Sequence, residues 1–338
     1  MNTRILKINP LDIDSDIIDE AAGVLRGGGL VAFPTETVYG LGANALRAEA
    51  VAKIFGAKQR PLDDPMIVHI SKLDDLSSLA REIPPEALKL GQLLWPGPLT
   101  MVLEKTDILP DIVTSGLDTV AVRMPSGAVA ARLIAAAGVP VAAPSANMFG
   151  GPSPTRAQHV MDDLHGRIDM ILDGGATEIG IESTVVEFSR GQVAVLRPGG
   201  IDMEKLRDIL KGTKVVSAEE NAVNSPGKYP RHYSPRAKVI IVEEGPQQAD
   251  KVLAVASETE KQNQSVGVIS TTEHAEKYSG LNVKILGSRG DGKTCASRLF
   301  HILREFDSEG ADIIVTEAIC EKGLGLAVMN RLRKAAMA

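Results

Sequence analysis

Short apolar runs alternate along this chain with segments whose apolar positions recur at helical spacing. Ile13, Ile17, Ile18, Ala21, Ala22 and Leu25 make the first such segment, with Asp14 or Ser15 as its cap. The glycines 27–29 stop it, because glycine accepts the left-handed backbone at a helix end. Strands are expected over 30–33, 66–70, 99–103, 119–123, 140–143, 185–186 and 193–196, and helices over 48–57, 84–94 and 203–211. From 212 to 238 the composition turns to Ser, Asn, Gly, Pro and charge. Beyond it, strands over 239–242, 266–269, 283–286 and 313–316 alternate with helices, the last near 326–334. The pattern predicts an α/β protein of two domains, 1–211 and 239–338, joined by a linker or lid over 212–238. The second domain reads as a small Rossmann-like parallel sheet.

Composition narrows the class. The 338 residues are 44% hydrophobic and 24% charged, as in a globular protein with full cores. Aromatics make up 3%, which argues against extended stacking platforms for single-stranded nucleic acid. A formal charge of −6 argues against a protein that coats nucleic acid, while leaving room for a local basic patch. The two cysteines, Cys295 and Cys320, exclude a disulfide scaffold and a Cys-rich zinc site. The first residues lack a secretory apolar core, and no apolar run reaches membrane-spanning length. A cytoplasmic protein is expected.

The candidate chemistry lies where apolar strands break. Thr35 stands in PTET after the first strand, and Lys58 and Arg60 stand one residue apart before the second. Arg123 ends TVAVR, Ser145 and Asn147 follow PVAAP, Ser183 precedes a strand and Arg197 ends one. Each taken singly is ordinary turn chemistry. Together, five loops bring cations and hydroxyls to strand ends with no candidate thiol or His/Asp nucleophile. That set suits the binding and positioning of a phosphate-rich anionic substrate. Tyr229, Arg231, His232 and Tyr233 crowd into the 212–238 stretch, which is unusual for a plain spacer.

GSRGDGKT at 287–294 matches the phosphate-loop pattern, after an expected strand and before a helix. The chain beyond it holds one further strand, DIIVTE, which ends in Glu317. A P-loop NTPase core needs more strands and a metal-binding Asp, so this alternative ranks low.

In order, PTETVYGLGA, a KxR with a following proline and His-ended strand, WPGPLT, DTVAVRMP, PSAN, ESTV and LRPG resemble the threonylcarbamoyl-AMP synthases with a YrdC-like domain. The C-terminal half, ending GLGLAVMNRLRKA, resembles the extra domain of the longer, two-domain members. The resemblance covers nearly the whole chain. It implies a twisted, mixed α/β domain with a large concave, positively charged cavity, followed by the smaller Rossmann-like domain. It also implies a nucleotidyltransferase that makes L-threonylcarbamoyl-AMP and pyrophosphate from L-threonine, bicarbonate and ATP with Mg²⁺. The product would pass to a tRNA threonylcarbamoyl transferase complex.

By motif, the resemblance makes Lys58, Arg60, Ser145 and Asn147 the catalytic set that holds ATP and the carbamate. It gives threonine to Thr35, His69, Arg123, Ala143 and Ser183, with Arg123 on the carboxylate. Asp64, Thr119, Ser153 and Arg197 would join the ATP side, and Tyr229, Arg231 and His232 would form a mobile lid. No metal ligand is assigned. Two departures stand out: Asp64 where members often carry Asn, and PGKYPRHYSP where PGMKYRHYAP is common. The Asp64 carboxylate has two courses, to meet Mg²⁺ or to pair with Arg60 or Lys58, and the metal role is expected. Competing functions are the carbamoyl-transfer step of hydrogenase maturation, whose zinc-binding cysteines are missing, and double-stranded-RNA binding in a basic cavity.

Overall fold

The computed structural model describes residues 2–189, 191–217 and 232–337. Contacts divide them into two units. The first holds the described chain up to 217, except 150–153 and 179–181; the second holds those two segments and the described chain beyond 231.

The first unit begins β1 (Arg4–Lys7), α1 (Ser15–Arg26), β2 (Val31–Pro34), β3 (Tyr39–Asn44), α2 (Ala48–Lys58) and β4 (Ile67–His69). It continues through α3 (Leu76–Leu79), α4 (Pro85–Leu94), β5 (Leu99–Glu104), α5 (Asp111–Thr114), β6 (Thr119–Arg123), α6 (Ala128–Ala137) and β7 (Val141–Ala142). Then come α7 (Ala157–Leu164), β8 (Met170–Asp173), β9 (Thr184–Ser189), β10 (Gln192–Arg197), α8 (Met203–Ile209) and β11 (Lys214–Ser217). All eleven strands join one mixed sheet in the order β1-β8-β2-β3-β7-β4-β6-β5-β9-β10-β11.

Asp14 caps α1 by accepting the Asp16 N–H at 2.9 Å. The helix buries Ile18, Ala21, Ala22 and Leu25 with Val129 and Leu133 of α6 against Phe33 and Leu172 of the sheet. Four strands, β1, β3, β8 and β11, fall outside the sequence expectation. β3 carries Gly40 and Gly42, which weaken a strand signal. Gly42 is required by space: a Cβ there would lie 2.7 Å from the Phe33 ring and 2.9 Å from Val141. β11 occupies the start of the expected linker and pairs in parallel with β10.

The second unit contains β12 (Lys238–Val242), α9 (Gln248–Lys261), β13 (Val266–Thr271), β14 (Asn282–Gly287), α10 (Gly292–Ser308), β15 (Ile313–Glu317) and α11 (Leu324–Ala336). Its strands form a parallel sheet ordered β12-β15-β13-β14. Val252 and Ala256 of α9 cover one face against Val266, Val268, Ile313 and Val315. This is the Rossmann-like unit expected.

The GSRGDGKT segment has a structural job here. It leaves β14, an edge strand, whereas a phosphate loop normally leaves the interior of its sheet. Asp291 caps α10, accepting the Thr294 N–H at 3.1 Å and the Thr294 hydroxyl at 2.5 Å. An acid thus fills the helix terminus that a phosphate would need. Glu317 is also committed, accepting the Thr271 N–H at 2.8 Å and hydroxyl at 2.6 Å, with the Tyr278 hydroxyl as a further donor.

Candidate active site

The strands β4, β6 and β5 carry the site, and their register decides what shares a face. His69 pairs with Arg123, and Arg123 with Thr100. One row further along, Ile67 pairs with Ala121 and Ala121 with Val102. Because side chains alternate along a strand, both rows project to the same face. Ile67, Val102, Ala121 and Val185 cluster there as a small apolar floor. Thr119 lies on that face too, four residues or about 13 Å along β6 from Arg123.

The polar groups divide between the two ends of this floor. At one end, His69 and Arg123 are joined by Ser183, whose hydroxyl lies 2.7 Å from that of Thr100. Arg197 donates to the Ser183 carbonyl at 3.0 and 3.2 Å and to its hydroxyl at 3.2 Å. At the other end, where β4 begins, Lys58 at the close of α2 donates to the carbonyls of Ser145, at 2.6 Å, and Asn147. The Ser145 hydroxyl donates to the Asn147 side-chain oxygen at 2.6 Å. The expected pairing of Lys58 with the Ser145–Asn147 loop is therefore present, with Arg60 beyond the left-handed Gln59 (φ 53°). Ala143 stands between the two ends, donating its N–H to Ile67 at 2.9 Å.

Some expected positions are used differently. The Thr35 hydroxyl donates to the Val38 carbonyl at 2.7 Å and lies 2.7 Å from the Thr37 hydroxyl, serving its own loop. Arg197, expected with ATP, sits with Ser183. Asp64 takes the pairing course: its carboxylate is 2.9 Å from Arg60, with side chains 0% and 7% exposed. Arg60 also donates to the carbonyls of Asp64 and Pro65, at 3.2 and 2.9 Å. Two backbone acceptors and an acid four residues on gather this guanidinium into its own loop, the pairing course of the two that were open. Ser153 is fully buried and falls in the second unit.

Of the lid residues, Tyr229 and Arg231 lie outside the described residues. His232 is buried, edge-on to Tyr233 with ring centroids 4.0 Å apart. Tyr233 in turn lies 5.5 Å from the Phe300 ring and 5.0 Å from the Arg331 guanidinium. His232 thus packs on Tyr233 within the second unit.

Two residues not singled out by sequence belong to the site. Glu36, inside PTET, puts a carboxylate oxygen 2.7 Å from Arg123, with both side chains buried. Its other oxygen accepts the Gly127 N–H at 3.3 Å. Burial alone would raise the Glu36 carboxyl, but the charge and hydrogen bond of Arg123, with backbone N–H groups of Glu36 itself and Ser126, together outweigh it and hold the group below the usual carboxylate range. The other is Thr100, whose signal was a hydroxyl inside an otherwise apolar strand. His69 is pushed down to about 3, first by burial and then by the Arg123 charge, and is neutral near pH 7. Its Nδ1 has no hydrogen-bond partner among the described residues.

Two family models match the chain: one described as "Telomere recombination" over residues 23–199, and "Threonylcarbamoyl-AMP synthase, C-terminal domain" over 201–337. The threonylcarbamoyl-AMP synthase of Pyrococcus abyssi is 47% identical, over 93% of this chain and 92% of its own length. This chain belongs to the threonylcarbamoyl-AMP synthase family. The Bacillus subtilis member is 45% identical over 94% of this chain and 92% of its own. The crystal structure of P. abyssi Sua5 complexed with L-threonine superposes with a TM-score of 0.92 at 45% identity, covering 99% of this chain and 98% of that one. Both units therefore follow the two-domain members of the family, and the chain is an enzyme of that kind.

Proposed function

We propose that this chain is a cytoplasmic nucleotidyltransferase that forms L-threonylcarbamoyl-AMP and pyrophosphate from L-threonine, bicarbonate and ATP. The observation that carries this is one sheet face with a polar group at each end and an apolar floor between. An amino acid joined through its nitrogen to a nucleotide is a ligand of that kind. The His69–Arg123–Thr100 end, with Ser183 and Ala143, suits the amino acid, and P. abyssi Sua5 was crystallised as a complex with L-threonine. The Lys58, Arg60, Ser145 and Asn147 end, with Thr119, suits the phosphates.

Carbamate formation and attack on the α-phosphate both build negative charge. Fixed cations and N–H or O–H donors are the catalysts such steps need. Mg²⁺ belongs to the substrate in this scheme, carried on the triphosphate oxygens. Among the described residues no group of three or more His, Cys, Asp or Glu could hold a metal, and Asp64 is turned to Arg60. The product would be consumed by a tRNA threonylcarbamoyl transferase complex. Among the described residues no helix is long and apolar enough to cross a membrane.

The test is pyrophosphate release with ATP, Mg²⁺, bicarbonate and a panel of amino acids. Release that requires both threonine and bicarbonate is expected. Equal release without threonine, or salt-sensitive RNA binding with no ATP turnover, would overturn the proposal.

A further inference from the structure

The row of side chains that holds His69, Arg123 and Thr100 continues through Val185 on β9 to Arg197 on β10. Ser183, two residues before Val185, faces the same side. Its hydroxyl and that of Thr100 lie 2.7 Å apart, both residues are buried, and Arg197 donates to the Ser183 hydroxyl at 3.2 Å. Among the described residues the two hydroxyls make no further hydrogen bond.

Each hydroxyl has one proton and two lone pairs, and a guanidinium can only donate. Arg197 uses one lone pair of Ser183. The bond between the hydroxyls uses one proton and one lone pair, whichever oxygen donates. One proton and two lone pairs remain on the pair, buried where unmet polar groups are costly. A carboxylate has no proton to give them, and an ammonium has no lone pair to receive the proton. A hydroxyl meets both needs. Arg123 stands directly across from Thr100 on the next strand, about 4.8 Å away, and its Nε is buried without a hydrogen-bond partner among the described residues. A carboxylate on Cα and a hydroxyl on Cβ would span a gap of that size.

We propose that Thr100 is a positioning residue that fixes the Ser183 hydroxyl, and that the pair selects an amino acid with a β-hydroxyl while Arg123 takes its carboxylate. The inference rests on the synthase reading above. The positive charge of Arg123 draws the Thr100 lone pairs, so Thr100 gives its proton to Ser183. With both its lone pairs filled, Ser183 donates to the substrate oxygen, and Thr100 accepts the substrate's own proton. Three hydroxyls then close a ring in which each donates once. A methyl in the substrate's place would leave the proton and lone pairs unmet, which is how a small pocket rejects an isostere most strongly.

The experiment is calorimetric binding of L-threonine and of L-valine, which has nearly the same shape with a methyl for the hydroxyl. Wild type should prefer threonine by about tenfold or more. Thr100→Val should weaken threonine by about threefold to tenfold, the net worth of one hydrogen bond, and leave valine within about twofold. Thr100→Ser keeps the hydroxyl and must keep the preference. Equal weakening of both ligands would mean that Thr100 only fills space, and unchanged threonine affinity would mean that water meets the pair. Either result overturns the proposal, as would wild type that binds both amino acids equally. Should the Val variant fail to fold, Thr100→Ala removes the same hydroxyl and must narrow the preference in the same way. Wild type that binds neither amino acid would instead defeat the synthase reading itself.

Discussion

Arg60 and Asp64, four residues apart in the loop after α2, form an ion pair of 2.9 Å with neither side chain more than 7% exposed. The acid lowers the charge that Arg60 presents to a nucleotide. Asp64→Asn should therefore bind ATP severalfold more tightly, with the Mg²⁺ concentration for half-maximal activity unchanged. Loss of the buried partner should also lower stability, by up to about 3–5 kcal/mol in such pairs. Nucleotide titration, a Mg²⁺ activity curve and thermal unfolding measure all three. A higher Mg²⁺ requirement would return the metal role to Asp64.

His69 makes stability depend on pH. Its pKa falls from an ordinary 6.5 to about 3 in the folded protein. Between those values the unfolded chain binds a proton that the folded chain does not, so stability drops as pH falls through this window. From pH 6.5 to 5 the loss attributable to His69 is about 2 kcal/mol, at about 1.4 kcal/mol per unit. Urea unfolding at the two pH values should show this loss in wild type and a smaller one in His69→Gln. Equal losses would mean that His69 already titrates normally.

Gly127 and Gly199 set the loops of the amino-acid end by contact alone. A Cβ at Gly127 would strike the Thr35–Glu36 backbone, and one at Gly199 would collide with the Glu182 oxygen and the Ser183 carbonyl carbon. Gly127→Ala or Gly199→Ala should cost about 1–3 kcal/mol of stability, as overpacking does. Each should raise the KM for threonine more than the KM for ATP. An equal rise in both would show that the two ends of the floor are not independent.

Lys293→Ala should leave ATP affinity and turnover near wild type. Asp291 already caps α10, and Lys293 in its first turn is exposed. A large loss of ATP binding would revive the P-loop alternative.

Much of this was legible in the sequence because strand breaks announce themselves locally. Lys58, Ser145 and Asn147 stood in short motifs, and the structure joins them. The second sheet followed from four clean apolar runs. What stayed hidden depends on register between distant segments. No local pattern says that His69, Arg123 and Thr100 stand side by side, or that Thr119 lies at the far end of the same face. Glu36 looked like turn chemistry because its partner is on another strand. β3 was masked by glycines whose reason, the nearness of Phe33 and Val141, is tertiary.

The apolar floor has a chemical consequence. The product assigned to this face is a mixed carbamic–phosphoric anhydride, a linkage that water cleaves. Ile67, Val102, Ala121 and Val185 offer no atom that could hold a water against it. The reactive bond would rest over the part of the site least able to organise its hydrolysis, and each ATP spent would leave as a usable acyl donor.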